Sequence, residues 1–296
     1  MSSLTTPVTD YKAALDTLSH QVEQLRATDE WQSWLRLTSA MHAYSPRNLL
    51  LILAQCPQAT IVHGYRRWQE LGRQVRKGEH GIKILAPAHF DVISTDPVSG
   101  EVTSRHANRF RLASVFDITQ TMGEELPERP RPQPIAGVSD TGQLIEAHLL
   151  RYLAALQITV RGGHPSEMHG ARGFWDAHTR EIVLDAYTTG DDRTHTLIHE
   201  AAHALAGHRG GLDQLPRDYK ETVAESVTYA VMWRFGLDAS SYAIPYVAGW
   251  SDADPKLLTA AADAVQQLAH ALCAAIDEPE AERSRPGDAG GTHAAA

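Results

Sequence analysis

Apolar residues recur at helical spacing in several stretches of the chain. Between residues 11 and 26, the positions Ala14, Leu15, Leu18, Val22 and Leu25 fall on one face of a 3.6-residue repeat, which predicts an amphipathic helix. Ser45-Pro46 is typical of a helix start, because serine accepts a bond from a free amide and proline suits the first helical position. Further helices are expected over residues 30–42, 47–56, 139–156, 193–206, 216–235 and 255–276.

Short stretches with alternating polarity predict strands between these helices. In the first half they cover residues 60–64, 81–86, 89–95 and 109–118, with a short turn-helix over 65–71 and a turn at 96–100. In the second half they cover residues 158–161, 173–176 and 181–184. The mixture of helices and strands predicts an α+β fold.

Prolines divide the chain near its middle. Residues 126–137 read LPERPRPQPIAG, and prolines stiffen a chain and remove backbone donors, so this segment is expected to be an extended linker. A length of 296 residues suits two domains. We expect an α+β domain over 1–125, the linker at 126–137 and a second α+β domain over 138–276. Residues 277–296 have no apolar residue other than alanine and are expected to be disordered.

Composition narrows the class of protein. The chain is 43% hydrophobic and 21% charged, which excludes wholesale disorder, collagen and coiled coil. No apolar run approaches the roughly 18 residues of a membrane helix, and no secretory signal is visible, so no membrane partner is expected. Cys56 and Cys273 lie far apart, which excludes a disulfide framework and makes a reducing cytoplasm the expected location.

Charge is distributed unevenly along the chain. The net charge is −9, yet residues 41–90 hold seven Lys or Arg against two Glu, a net of +5, so the remainder carries −14. This asymmetry indicates that one region meets an anion. Basic residues alternate with aromatic ones there, and such a pattern suits phosphates and stacked bases. The candidate DNA-contacting residues are Arg47, Tyr65, Arg66, Arg67, Trp68, Arg73, Arg76, Lys77 and Lys83. In the alternative interpretation Tyr65 and Trp68 are core residues and the charges are a solvated face.

Residues 199–203 read HEAAH, an HExxH motif. On a helix, His199 and His203 lie on one face about 5–6 Å apart and can hold one Zn²⁺. Glu200, between them, can reach water at the metal and act as general base for amide hydrolysis. The alternative is two surface histidines on an alanine-rich helix.

A third zinc ligand is needed, and the next predicted helix offers Glu221 and Glu225 one turn apart. One should ligate, and the other should orient a histidine through its free ring N–H. His195 is expected to be a spare ligand or a residue at the rim of the site. The group that stabilises an oxyanion would come from Tyr219, Tyr229, Tyr242 or Tyr246, among which the sequence does not choose.

The basic segment resembles the N-terminal domain of ArdC-type antirestriction proteins. The resemblance is carried by Tyr44-Ser45-Pro46-Arg47-Asn48, Gln55, Ala59-Thr60, Gly64-Tyr65, Trp68, Leu71-Gly72-Arg73, Val75, Lys77-Gly78-Glu79, Gly81-Ile82 and Ile84-Leu85-Ala86-Pro87. It covers about residues 10–120 and 190–250. It implies an N-terminal domain that binds single-stranded DNA, joined to a C-terminal zinc metallopeptidase-like domain, in the order found here.

The second half also resembles ImmA/IrrE-type metallopeptidases, minimal zincins in which HExxH is followed by a helix bearing E-x-x-A. Glu221-Thr222-Val223-Ala224 matches that motif, so the resemblance implies Glu221 as third ligand. Glu225 departs from the pattern, since these peptidases often have Asn there.

Together these observations predict a cytoplasmic protein of a plasmid or phage that binds single-stranded DNA, carries a zinc metallopeptidase domain and protects incoming DNA from restriction. Two alternatives stay open. One is a non-catalytic DNA-coating protein whose zinc is structural. The other is a protease that cuts a transcriptional repressor and uses its N-terminal domain only as a docking surface. Under either enzyme hypothesis a protein or peptide is the expected substrate.

Overall fold

The computed structural model describes residues 8–25, 28–41, 44–95, 102–126, 132–135, 137–208, 217–240, 242 and 255–277. These residues form helices and small sheets, so the expected mixture of α and β structure is confirmed. The described helices are α1 Tyr11–Gln24, α2 Thr28–Ala40, α3 Pro46–Gln55, α4 Tyr65–Glu70, α5 Asp140–Ala155, α6 Pro165–Met168, α7 Gly190–His208, α8 Arg217–Arg234 and α9 Pro255–Asp277. The described strands are β1 Val62–Gly64, β2 Arg73–Val75, β3 Ile82–Thr95, β4 Val102–Asp117, β5 Thr121–Gly123, β6 Gln133–Pro134, β7 Thr159–Gly163, β8 Gly173–Asp176, β9 Glu181–Asp185 and β10 Leu237–Asp238.

Two three-stranded sheets organise the described strands. In the N-terminal half, β4 lies between β1 and β3 and is antiparallel to both. In the C-terminal half, β9 is central, with β7 parallel on one side and β8 antiparallel on the other. Two small pairs complete the described sheets, β2 with β5 and β6 with β10. The sequence did not predict β2, β5, β6, β10 or the single-turn helix α6.

Helix starts follow local capping chemistry. Ser45 caps α3, where its side chain accepts a hydrogen bond from the backbone N–H of Asn48, as the Ser45-Pro46 signal predicts. Asp10 caps α1 and Ser139 caps α5 in the same way. Each cap satisfies one of the amides that an isolated helix leaves without a partner.

The strands predicted at 81–86 and 89–95 form one continuous strand, β3, and the strand predicted at 109–118 is the end of a longer β4. Pro87 lies within β3 opposite Phe110. Proline lacks an N–H but is tolerated at a sheet edge, and β3 is an edge strand, so Pro87 does not end it. The predicted turn at 96–100 lies outside the described residues.

Two side-chain amides of α3 cover the free edge of β3. Asn48 Nδ2 donates to the carbonyl of Leu85 at 2.9 Å, and its Oδ1 accepts from the Leu85 amide at 2.9 Å. Gln55 makes the same pair of bonds with Lys83, each 2.8 Å long. An uncovered edge strand would invite pairing with another chain. Asn48 and Gln55, two residues of the family resemblance, thus have a structural role.

Helices from both sides of residues 126–137 pack against one another. On α2, Trp31 and Trp34 are fully buried, and the indole N–H of Trp31 donates to Ser226 of α8 at 2.9 Å. The side-chain amide of Gln266 on α9 donates to the carbonyl of Tyr44. The division into domains at residues 126–137 stays a prediction, and the described parts of its two sides share buried contacts.

The predicted linker is partly described. Gln133 and Pro134 form β6, which pairs with β10, whereas residues 127–131 and 136 lie outside the described part of the chain. Of the predicted disordered tail over 277–296, Asp277 is the last residue of α9, and the rest lies outside the described residues. Among the helices that the structure describes, none combines the length and apolar character needed to cross a bilayer.

Candidate functional site

Helix α7 presents three histidines on one face. Its buried face carries Leu197, Ile198, Ala201, Ala202 and Leu205, which are at most 2% exposed. His195, His199 and His203 repeat at intervals of four residues and therefore lie along a single stripe. Packing of the apolar face thus turns the histidines toward the neighbouring α8.

Helix α8 brings a carboxylate to the two motif histidines. The Nε2 atoms of His199 and His203 lie 3.1 Å apart, and Glu221 Oε2 lies 3.4 Å from the first and 3.5 Å from the second. Four-coordinate zinc with bonds of about 2.0–2.1 Å separates its ligand atoms by about 3.3 Å. The spacing of these three donor atoms therefore fits a small divalent cation. Among the described residues, His199, His203 and Glu221 form a group that could hold one.

Glu225, one turn further along α8, contacts the histidines from behind. Its Oε2 lies 2.9 Å from Nδ1 of His199, and its Oε1 lies 3.0 Å from Nε2 of His195. Burial raises the pKa of Glu225, but the bonds with His195 and His199 outweigh burial and lower that pKa to about 2. This geometry suits Glu225 to orienting the histidines and Glu221 to holding a metal ion. His195 is 7% exposed in the wall of the cleft that holds these groups, and its bond to Glu225 extends the hydrogen-bond chain behind His199.

The carboxylates favour positive charge at His199. Burial lowers the pKa of His199, but hydrogen bonds with Glu221 and Glu225 raise it to about 10. The bonds with His199 and His203 in turn hold the pKa of Glu221 well below its usual range. Acidic side chains that stabilise a proton at this position also stabilise a metal ion, which competes with the proton for the same nitrogen.

Glu200 lies beside the donor cluster and lines the same cleft. Its side chain is buried, and burial raises the pKa of its carboxyl group. The backbone of Trp175 on β8 acts in the opposite direction and lowers that pKa. Gly173, also on β8, lies so close that a Cβ there would be 3.1 Å from Glu200 Cγ and 2.7 Å from Thr196 Cγ2. The β8 backbone therefore packs closely against Glu200, a contact that no sequence pattern predicted.

A cleft of about 1210 Å³ opens onto these groups. Among the tyrosines considered for an oxyanion role, Tyr242 lines this cleft. Its hydroxyl donates to Asp192 at 2.5 Å, Arg172 donates to it at 3.3 Å, and its ring lies 4.3 Å from that of His195. Tyr229 is fully buried beside Arg36, Tyr219 packs against the core, and Tyr246 lies outside the described residues.

The structure corrects the proposed role of Trp68 in DNA binding. Trp68 is fully buried, its ring N–H donates to the carbonyl of Phe116 at 2.9 Å, and its ring lies 5.0 Å from that of His63. A ring with no exposed surface cannot stack on a base, so Trp68 is a core residue. Tyr65, in contrast, is 50% exposed.

Several predicted DNA-contacting cations have partners within the protein. Arg67 pairs with Glu70 at 2.9 Å, and the ammonium group of Lys83 donates to Ser114 at 2.8 Å. Arg73 donates to Thr121 and to the carbonyls of Gly123 and Glu124, which ties β2 to β5. Arg76 pairs with Glu79 and donates to the carbonyl of Thr119. The side chains of Arg47, Arg66 and Lys77 are exposed.

Comparison with known proteins shows that the chain is similar to ArdC in part of its sequence and in its fold. Residues 10–116 match the family described as the N-terminal domain of anti-restriction factor ArdC. Crystal structures of antirestriction ArdC from plasmid R388, one metal-free and one Mn(II)-bound, are 22% identical and have TM-scores of 0.54 and 0.50. Each match covers 88% of this chain and 98% of that protein.

Two curated relatives, both uncharacterized, are also similar to this chain in sequence. The uncharacterized protein pXO2-81 of Bacillus anthracis is 26% identical over 242 residues, which cover 70% of this chain and 41% of that protein. The uncharacterized protein y4eC of Sinorhizobium fredii is 28% identical over 255 residues, which cover 77% and 76%. The chain thus spans less than half the length of the first relative. It is ArdC-like in two respects: its residues 10–116 match the ArdC N-terminal domain family, and its fold is similar to that of ArdC.

Proposed function

We propose that this protein is an antirestriction factor that binds single-stranded DNA and carries a zinc-dependent peptidase site. The observation that carries the proposal is the convergence of His199, His203 and Glu221 beside Glu200 in an open cleft. Mn(II) is bound by the similar ArdC, and zinc is proposed here because two imidazoles and one carboxylate are typical ligands of catalytic zinc. A bound divalent ion supplies Lewis acidity to a substrate carbonyl and to water.

The chain's own groups supply the proton transfers. Glu200 is buried against Gly173 of β8 and lines the cleft, so it can take a proton from water and return it to the leaving amine. Tyr242 lines the cleft, and its hydroxyl would stabilise a developing negative charge on the carbonyl oxygen by transferring its hydrogen bond from Asp192 to that oxygen. The C-terminal half would then act as an ImmA/IrrE-like minimal zincin. An open cleft favours this over a purely structural zinc, which is normally closed off by four protein ligands.

The N-terminal half offers a surface for unpaired bases. Tyr65 and Phe110 are 50% and 54% exposed, and Phe110 alternates along β4 onto the same face as Ser114, the partner of Lys83. Exposed aromatic rings stack on bases, and exposed cations such as Arg66 and Lys77 meet phosphates. Because stacking needs base faces that a duplex hides, we propose a preference for single strands with little dependence on sequence.

The peptidase proposal is tested with Glu200→Gln in the full-length protein. We expect the variant to keep its zinc, because Glu200 is not among the donor atoms, and to lose hydrolysis. Zinc content is measured by elemental analysis, and cleavage is measured by comparing peptide profiles of a host proteome incubated with either protein. Identical profiles for wild type and Glu200→Gln would contradict the peptidase and favour a DNA-coating protein.

The DNA proposal is tested separately by titrating the full-length protein with a single-stranded oligonucleotide and with its duplex at one salt concentration. We expect tighter binding to the single strand. Equal affinity would remove the single-strand preference and would leave the peptidase proposal untouched.

A further inference from the structure

Helix α8 uses two neighbouring faces for two purposes. One face carries Glu221 and Glu225 toward the histidines of α7. The adjacent face meets α2 from the N-terminal half, where Trp31 Nε1 donates to Ser226 Oγ at 2.9 Å. Trp31 is 0% and Ser226 1% exposed, so this bond is made in the protein interior. The two faces belong to one rigid element, and Ser226 directly follows Glu225.

A second contact lies one turn along the same interface. Arg36 of α2 donates from Nε to the hydroxyl of Tyr229 at 3.1 Å, and its guanidinium lies 5.0 Å from the ring centre of Trp233. Tyr229 is fully buried. Hydrogen bonds have narrow ranges of distance and angle. These two bonds therefore specify how α8 is turned about its own axis.

Rotation of α8 matters because its carboxylates are far from the axis. Side chains extend to about 5–6 Å from a helix axis, so a rotation of about 10° displaces a carboxylate by about 1 Å. Metal–ligand distances vary by only about ±0.2 Å, so a carboxylate displaced by about 1 Å no longer lies at bonding distance from the metal.

We propose that α2 belongs to the scaffold of the metal centre and that Trp31, acting through Ser226, is a positioning residue for Glu221 and Glu225. The proposal rests on the metal site of the proposed function. It means that the metal centre depends on the N-terminal half of the chain, which carries the DNA-binding surface.

The test compares two tryptophans of the same helix in the full-length protein. Trp31→Phe removes the indole N–H that holds Ser226. Trp34→Phe is the matched control, because Trp34 is equally buried and its indole N–H has no hydrogen-bond partner among the described residues. Zn²⁺ affinity is measured by competition with a chromophoric chelator, and the melting temperature of the metal-free protein is measured in parallel.

Removing a partner that orients a metal ligand typically weakens metal binding by about 10–100-fold, and Trp31 acts one contact further out, so we expect about three- to tenfold weaker binding in Trp31→Phe. Trp34→Phe should bind like the wild type. A purely structural role would lower both melting temperatures without separating the two affinities. Unchanged affinity in Trp31→Phe, or equal loss in both variants, would overturn the proposal.

Ser226→Ala provides an independent arm. As a single variant it should weaken Zn²⁺ binding. Combined with Trp31→Phe it should cause no further loss of affinity, because both changes break the same bond. Additive losses in the double variant would contradict action through that bond. A wild type that binds no Zn²⁺ would instead refute the proposed metal site.

Discussion

The carboxylate of Glu225 lies 2.9 Å from Nδ1 of His199, on the side of the ring opposite to the Nε2 atom that faces His203 and Glu221. The pKa of Glu225, lowered to about 2, keeps it ionised, and an ionised carboxylate only accepts hydrogen bonds. Nδ1 of His199 must therefore donate, which is the usual way in which proteins orient a metal-binding imidazole. Two glutamates one turn apart on α8 thus have different roles.

Exchanging each glutamate for glutamine separates these roles. Glu225→Gln should weaken zinc binding by about 10–100-fold, the usual effect of losing a group that orients a ligand. Glu221→Gln should weaken it more, because it replaces a ligand atom. Chelator competition on both variants measures the order, and the reverse order would exchange the two assignments.

Metal removal should lower stability in a way that depends on the two histidines. A ligand that binds only the folded state stabilises it, by about 2.7 kcal/mol at a free concentration of 100 times Kd. We expect added zinc to raise the melting temperature of the wild type and a chelator to reverse this. The His199→Ala/His203→Ala double variant should not respond to either. Full zinc content in that variant would refute the assigned ligands.

Trp68 and Tyr65 should differ sharply when each is replaced by alanine. Trp68→Ala empties a fully buried site, and such changes cost about 3–5 kcal/mol of folding stability, measurable as a lower urea midpoint. Tyr65→Ala should leave the midpoint nearly unchanged and weaken single-strand binding by about 1–3 kcal/mol if Tyr65 stacks on a base. An unchanged midpoint for Trp68→Ala would contradict its place in the core.

The exposed and internally bonded cations should differ in their effect on salt dependence. Each phosphate contact on a single strand contributes about 0.7 to the slope of log K against log salt concentration, so Lys77→Ala should flatten the slope by about 0.7. Arg73→Ala should lower stability, because its guanidinium bonds to β5 and the residue after it. Titrations at four salt concentrations, with urea melts alongside, distinguish the two. A flatter slope with unchanged stability for Arg73→Ala would show that Arg73 contacts DNA and is not needed to join β2 to β5.

Gly173 should be needed for the position of Glu200. A Cβ there would come within 2.7 Å of Thr196, so Gly173→Ala must push β8 away from Glu200. We expect loss of hydrolysis with zinc retained. Gly162→Ala is the control, since a Cβ at that position meets its nearest atom, of Ala186, at an ordinary 3.6 Å. Full hydrolysis by Gly173→Ala would show that the close contact is dispensable.

Local chemistry made much of the fold predictable. Strand β8 has the predicted bounds, and α3 begins at the predicted Ser45-Pro46 signal. Helix α7 is at most three residues longer than predicted at each end, and α8 is one residue shorter at each end. The strand β3 was predicted as two separate strands, because proline usually interrupts a strand. That Pro87 is tolerated follows only from the position of β3 at the edge of its sheet. The role of Trp68 was undecided for a similar reason, since an aromatic residue among cations suits a core and a surface equally well.

The sequence alone places His199 and His203 on one helical face with Glu200 between them, because the periodicity of a helix depends on neighbours within one turn. It also determined that a basic, aromatic segment precedes this motif. The packing of the folded chain turns Glu221 toward both Nε2 atoms and places Glu225 behind His199, since that depends on how α8 is turned against α7. It alone brought Trp31 to Ser226, 195 residues away, because such a contact requires the folded core that joins them.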